Sequence, residues 1–186
     1  KNHCVIMDDA HKRRAINDIV GSAYGAAGQR CMANPVTILV GEARSWMPEI
    51  IEKSKTMVID SGTNRDADLG PVISPQAKAR ILSLINSGIK QGATLVVDGR
   101  NCKVDGYEKG NFVGPTMFTN VTTDMDIYTQ EIFGPCLIML EVETLDEAIT
   151  IINANPNGNG TSIFTASGFN ARKFENENDI GQIGIN

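Results

Sequence analysis

Short, uninterrupted apolar runs recur along this chain, separated by longer stretches in which apolar side chains repeat every three or four residues. The runs are Cys4 to Met7, Val36 to Val40, Ala93 to Val97, Phe112 to Phe118, Cys136 to Val142, Thr161 to Thr165 and Gln182 to Ile185. They read as continuous rather than alternating, which is the pattern of strands covered on both faces. Between them the spacing predicts helices over residues 10 to 27, Glu42 to Met57, Pro75 to Lys90, Leu145 to Ala154 and Asn170 to Asn178. In the first of these, Ile16, Ile19, Val20, Ala23, Tyr24 and Ala27 share one face, and Gly28 supplies a stop. Strand alternating with helix predicts an α/β fold, a three-layer, Rossmann-like parallel sheet with helices on both faces. In such folds ligands are expected in the crevice at the carboxyl ends of the strands.

With 186 residues, 41% of them hydrophobic, the chain fits one globular domain with its own core. Its net charge of -5 comes with 17 basic residues that are scattered rather than gathered into a stripe, so nucleic acid is not an expected partner. No apolar run approaches the roughly 20 residues that span a bilayer, and no charged-then-apolar leader opens the chain. The expected setting is the cytoplasm or the mitochondrial matrix, without secretion or membrane insertion. The four cysteines stand apart from one another, with neither the paired spacing of a metal site nor the density of a disulfide scaffold. The chain starts without Met, almost at once enters a strand, and stops directly after another. That reads as a piece cut from a longer polypeptide.

Chemistry concentrates in two motifs. Gly25-Ala26-Ala27-Gly28-Gln29-Arg30-Cys31 sets a thiol in a small-residue turn between a helix and a strand, with a fixed positive charge beside it. A thiolate is the nucleophilic form of cysteine. Because Cys31 follows a helix, the helix dipole has the wrong sign to activate it, so activation falls to Arg30, to local N–H donors or to a cationic cofactor. The second motif, Gln130-Glu131-Ile132-Phe133-Gly134-Pro135, presents a carboxylate before a tight turn, with Phe133 as an apolar wall. Glu131 reads equally as a solvated surface carboxylate and as an acceptor for a ribose diol. The only histidines, His3 and His11, give no persuasive Cys-His pairing. Neither glycine-rich phosphate-binding motif occurs, so a dinucleotide would find most of its site elsewhere.

These residues resemble the aldehyde dehydrogenase superfamily along essentially the whole chain. Lys1-Asn2 is similar to the end of that family's Gly-Gly-Lys segment, and Gly28 to Cys31 to its nucleophile motif. Gly70-Pro71-Val72-Ile73, Phe112-Val113-Gly114-Pro115-Thr116, Glu131 to Pro135 and Gly181 to Asn186 resemble its later signatures in order. Lys1-Asn2-His3, Gly25 to Met32, Thr144 to Ile149 and Gly158 to Thr161 look most like the CoA-acylating branch, which acts on methylmalonate and malonate semialdehydes. Asn157 stands where the superfamily usually has Tyr, and Asn34-Pro35 is unusual after the nucleophile.

The resemblance implies the catalytic domain of an NAD-dependent enzyme, with the NAD-binding domain outside this chain. It implies Cys31 as nucleophile, Arg30 as the ligand of the substrate carboxylate, and Glu131 and Phe133 at the nicotinamide ribose and ring. It implies CoA as acyl acceptor, a small semialdehyde as substrate, no metal, and a homo-oligomeric parent. Two other readings compete: an aldehyde dehydrogenase that transfers the acyl group to water, and a non-catalytic interaction module in which Cys31 is core packing.

Overall fold

The computed structural model describes residues 1–186. Its strands are β1 His3–Ile6, β2 Val36–Val40, β3 Thr94–Val97, β4 Thr116–Thr119, β5 Cys136–Val142, β6 Thr161–Phe164 and β7 Ile183–Ile185. The helices are α1 Lys12–Tyr24, α2 Met47–Lys55, α3 Pro75–Lys90, α4 Asp126–Thr129, α5 Leu145–Ala154 and α6 Gly168–Glu177. The strands form one sheet in the order β3-β4-β5-β2-β1-β6-β7. Every neighbouring pair is parallel except β3 and β4.

Burial explains why the apolar runs read as they do. All residues of β1 and β2, and all of β5 except Glu141, are buried, whereas the edge strands β3 and β7 are mostly half-buried or exposed. A central parallel strand touches helices on both faces and has no wet side to mark with polar residues. The crossover from β1 to β2 runs one way along the sheet, and those from β5 to β6 and β6 to β7 run the other way. Right-handed crossovers in opposite directions put their helices on opposite faces, α1 on one and α5 and α6 on the other.

Local chemistry sets the helix starts. Ser74 accepts the N–H of Ala77 ahead of Pro75, and Thr144 accepts the N–H of Glu147, whose carboxylate returns to the N–H of Glu143.

The structure departs from the sequence reading in five places. β3 pairs antiparallel with β4, because local apolarity fixes that a segment is a strand but not its direction. The first predicted helix ends at Tyr24 rather than residue 27, since Ala26 and Ala27 take left-handed backbone angles. The Glu42 to Met57 segment is a 3-10 turn over Gly41–Trp46 followed by α2, with Pro48 in its first turn. Residues 112–115 precede β4 without joining the ladder, and the short α4 had no periodic signal.

Candidate active site

The lead-in segments of four adjacent strands, β5, β2, β1 and β6, meet at one edge of the sheet and enclose a cleft of about 700 Å³. Cys31, Arg30, Glu131 and Phe133 all line it, together with Lys1 and Asn157. This is the amino edge, not the carboxyl edge that the general rule for open α/β sheets led us to expect. The carboxyl edge has a cavity of its own, about 610 Å³ beside the ends of β4 and β5, but none of the four motif residues lines it. The segments that leave β1 and β5 carry Asp9, which accepts the Thr165 hydroxyl, and Glu143, which pairs with Arg44. The segments that enter the strands are rich in Gly, Pro and Asn and leave space between them.

The thiol turn is built by backbone geometry. After α1, Ala26 (φ 53°), Ala27 (φ 55°) and Gly28 (φ 69°) are left-handed in succession. Two alanines in that region cost about 1–2 kcal/mol each, so tertiary contacts hold them there. One such contact is visible at Gly28, where a Cβ would lie 2.0 Å from the carbonyl oxygen of Gly134. Only glycine permits this approach, and it places the two sequence motifs backbone against backbone. The Arg30 carbonyl then accepts the N–H of Ala33 at 3.1 Å, closing a turn with Cys31 and Met32 at its tip. Cys31 is exposed. Its N–H donates to no group in the chain. That exposure runs against the reading of Cys31 as core packing.

Arg30 has two commitments. One guanidinium nitrogen, Nη2, donates to the carbonyls of Gly21 (3.0 Å) and Ser22 (2.9 Å) in the last turn of α1, capping that helix end. Its path crosses Gly25, where a Cβ would stand 2.5 Å from Nη2. The Nε and Nη1 donors make no hydrogen bond to the chain and are free to meet an anion in the cleft.

Across the cleft, Glu131 is exposed, and Phe133 is left-handed (φ 53°) and 42% exposed. A bulky residue in that conformation is held there by its surroundings. The holding group is Arg80 of α3, which sequence reasoning missed. It donates from Nη2 to the Glu131 carbonyl (2.6 Å) and from Nη1 to the Ile132 carbonyl (2.8 Å). Gly134 completes the loop by lying against Ile81, where a Cβ would come within 2.6 Å.

Beneath the cleft the polar groups are buried. Burial pushes the Lys1 ammonium down to about 8, with Cys136 and Glu131 opposing that shift, and Nζ has no hydrogen-bond partner. Burial likewise holds His3 down at about 3, so this imidazole is neutral, and its Nε2 shares a 2.9 Å hydrogen bond with the Tyr128 hydroxyl. The thiols of Cys4 and Cys136 are pushed up to about 12 by burial, and that of Cys102 is also raised. None of these three thiols is thiolate near neutral pH.

Comparison with known proteins adds to this geometry. The aldehyde dehydrogenase family matches residues 1–186. The human and bovine mitochondrial acylating methylmalonate-semialdehyde/malonate-semialdehyde dehydrogenases are each 56% identical over all 186 residues, which cover 35% of each relative. The chain thus spans about a third of the length of these relatives. Among solved structures, the NAD complex of a Sinorhizobium meliloti protein described as a methylmalonate-semialdehyde dehydrogenase superposes with a TM-score of 0.97 at 44% identity. It covers 100% of this chain and 38% of that one. A Staphylococcus aureus betaine aldehyde dehydrogenase in complex with NAD+ gives 0.95 at 29% identity, over 99% of this chain and 37% of the other. On these matches and this fold, the chain belongs to the aldehyde dehydrogenase family.

Proposed function

We propose that this chain is the thiol-bearing catalytic part of an NAD-dependent, CoA-acylating dehydrogenase for methylmalonate and malonate semialdehydes. The observation that carries the reading is the exposed Cys31 at a turn tip, opening into the same cleft as Arg30, Glu131 and Phe133. The names of the relatives support the substrate class and the acylating outcome. They also support a mitochondrial compartment over the cytoplasm, and the matrix is part of this proposal. A homo-oligomeric parent remains part of the proposal.

In this mechanism the Cys31 thiolate attacks the aldehyde carbon, and the new alkoxide gains a donor in the unengaged Cys31 N–H. One free donor of Arg30, Nε or Nη1, meets the substrate's own carboxylate with a charge-assisted hydrogen bond, since both two-pronged edges of the guanidinium include Nη2, which is held by the carbonyls of Gly21 and Ser22. Bound NAD supplies the hydride acceptor. Loss of hydride from the thiohemiacetal leaves a thioester on Cys31. The carboxylate leaves as CO2, the enolate left behind takes up one proton at its α carbon, and the CoA thiol then takes the acyl group while its proton restores the Cys31 thiol.

The chain's residues fit one end of the dinucleotide. Glu131 offers two oxygens for a ribose diol and Phe133 an exposed ring for a flat heterocycle, but no glycine-rich segment cradles phosphates. Most of the cofactor's site, and an NAD-binding domain, therefore lie outside these residues in this proposal.

The decisive experiment incubates the full protein with malonate semialdehyde and NAD, with and without CoA, following NADH and acyl-CoA. NADH together with acetyl-CoA is expected. Free acid formed at the same rate without CoA would transfer the reaction to water, and absence of NADH would reject the dehydrogenase reading. Residues 1–186 by themselves are expected to form no NADH, because half of the cofactor clamp is missing.

A further inference from the structure

We propose that Asn2 is the positioning residue of the Cys31 thiol, a four-way clasp that fixes the turn from its buried side. This inference rests on the reading of Cys31 as the nucleophile. Asn2 directly precedes β1 and is 6% exposed. Its Nδ2 donates to the carbonyl of Cys31 (2.8 Å) and to that of Ala33 (2.9 Å). Its Oδ1 accepts the N–H of Asn159 (3.1 Å) and that of Gly160 (2.9 Å). Both donor positions and both acceptor lone pairs of the amide are used. Two carbonyls on one side and two N–H groups on the other also fix which way the amide faces.

Position separates this clasp from ordinary core satisfaction. Cys31 and Ala33 precede β2, so their carbonyls have no ladder partner, and Asn2 is the side chain that anchors both. One of the two is the backbone carbonyl of the nucleophile itself, which the Asn159 amide also approaches at 3.4 Å. The side chain of Cys31 leaves the chain one bond from that anchored group. Fixing the carbonyl therefore fixes the peptide plane from which the Cys31 side chain departs and narrows the range of positions open to its thiol. Asp, Ala and Ser do not reproduce the arrangement: Asp lacks the donors and would face two carbonyls with a negative charge, while Ala or Ser strands buried partners.

The test compares Asn2→Ala, Asn2→Ser and wild type in the full protein. Iodoacetamide labelling of the Cys31 peptide is measured by mass spectrometry, with the Cys102 peptide of the same sample as reference. The Cys31-to-Cys102 rate ratio is expected to change severalfold, because a turn freed from the clasp presents a different range of thiol positions and surroundings to the reagent. In turnover, kcat is expected to fall while the KM for NAD holds, since Glu131 is held separately by Arg80. A labelling ratio equal to wild type, whatever happens to melting temperature or turnover, overturns the proposal. Should neither variant fold, amide exchange in the wild-type protein decides: slow exchange at Asn159 and Gly160 supports the clasp, and exchange at free-peptide rates removes it. Labelling does not involve aldehyde, NAD or CoA. A wild type that fails to oxidise semialdehyde while the variants still change the Cys31 labelling ratio rejects the reaction and leaves the clasp standing.

Discussion

The thiol turn and the Glu131 loop touch at Gly28 and Gly134, yet they are held in opposite ways. The thiol turn is gripped from inside by the neutral, buried amide of Asn2, and its left-handed residues are small. The Glu131 loop is gripped from outside by the exposed guanidinium of Arg80, and its left-handed residue is a half-exposed phenylalanine. A buried amide with four partners tolerates little displacement, because each partner set free would be an unsatisfied polar group. A solvent-facing guanidinium on two carbonyls can lose and regain its partners with water in attendance. The difference teaches that this edge of the sheet fixes the group proposed to react more firmly than the groups proposed to grip a ligand.

The largest effect that tests this contrast is expected from Cys31→Ser. In the full protein it should lower semialdehyde-dependent NADH formation by about a thousandfold or more with an unchanged circular dichroism spectrum. Substantial residual turnover would take the nucleophile's role from Cys31.

Gly28→Ala comes next, because its methyl would meet the Gly134 carbonyl and its backbone would stay left-handed. A loss of about 3 kcal/mol is expected, read from the urea midpoint. A variant as stable as wild type would show that the two loops separate easily.

Arg80→Gln should act on one side only. The KM for NAD is expected to rise about tenfold, the scale of one or two lost hydrogen bonds to a charged group, with kcat nearly constant in steady-state assays. A fall in kcat to match the Asn2 variants would erase the contrast between the loops.

The smallest effect concerns pH. Burial holds the folded His3 at about 3, below its ordinary value of 6.5, so the unfolded chain takes up the proton first as pH falls. The stability tied to this group is complete above 6.5 and erodes as pH drops from there toward 3. His3→Gln should therefore shift the acid-unfolding midpoint slightly downward, and an unmoved midpoint would show that other groups govern acid unfolding.

Much of the scaffold was legible in the sequence because the central strands are buried on both faces and leave no polar punctuation inside them. The direction of β3 was not, since strand pairing is decided by partners rather than by composition. The left-handed Ala26 and Ala27 were hidden because alanine is the best of helix formers and carries no signal for that backbone region. Cys31, Arg30, Glu131 and Phe133 were singled out from motifs, and all four line the cleft, but the edge at which they meet reversed the general rule. Asn2 and Arg80 escaped as functional candidates for one shared reason. Each acts on backbone carbonyls far away in sequence, and a carbonyl has no letter in the alphabet of side chains.

The Gly28 and Gly134 contact has a mechanical consequence. With no side chain between them to cushion the approach, a shift of either loop toward the other is stopped at once, whereas a shift away meets no such limit. At this seam the cleft can widen but cannot narrow, so its smallest width there is set by two backbones rather than by any side chain.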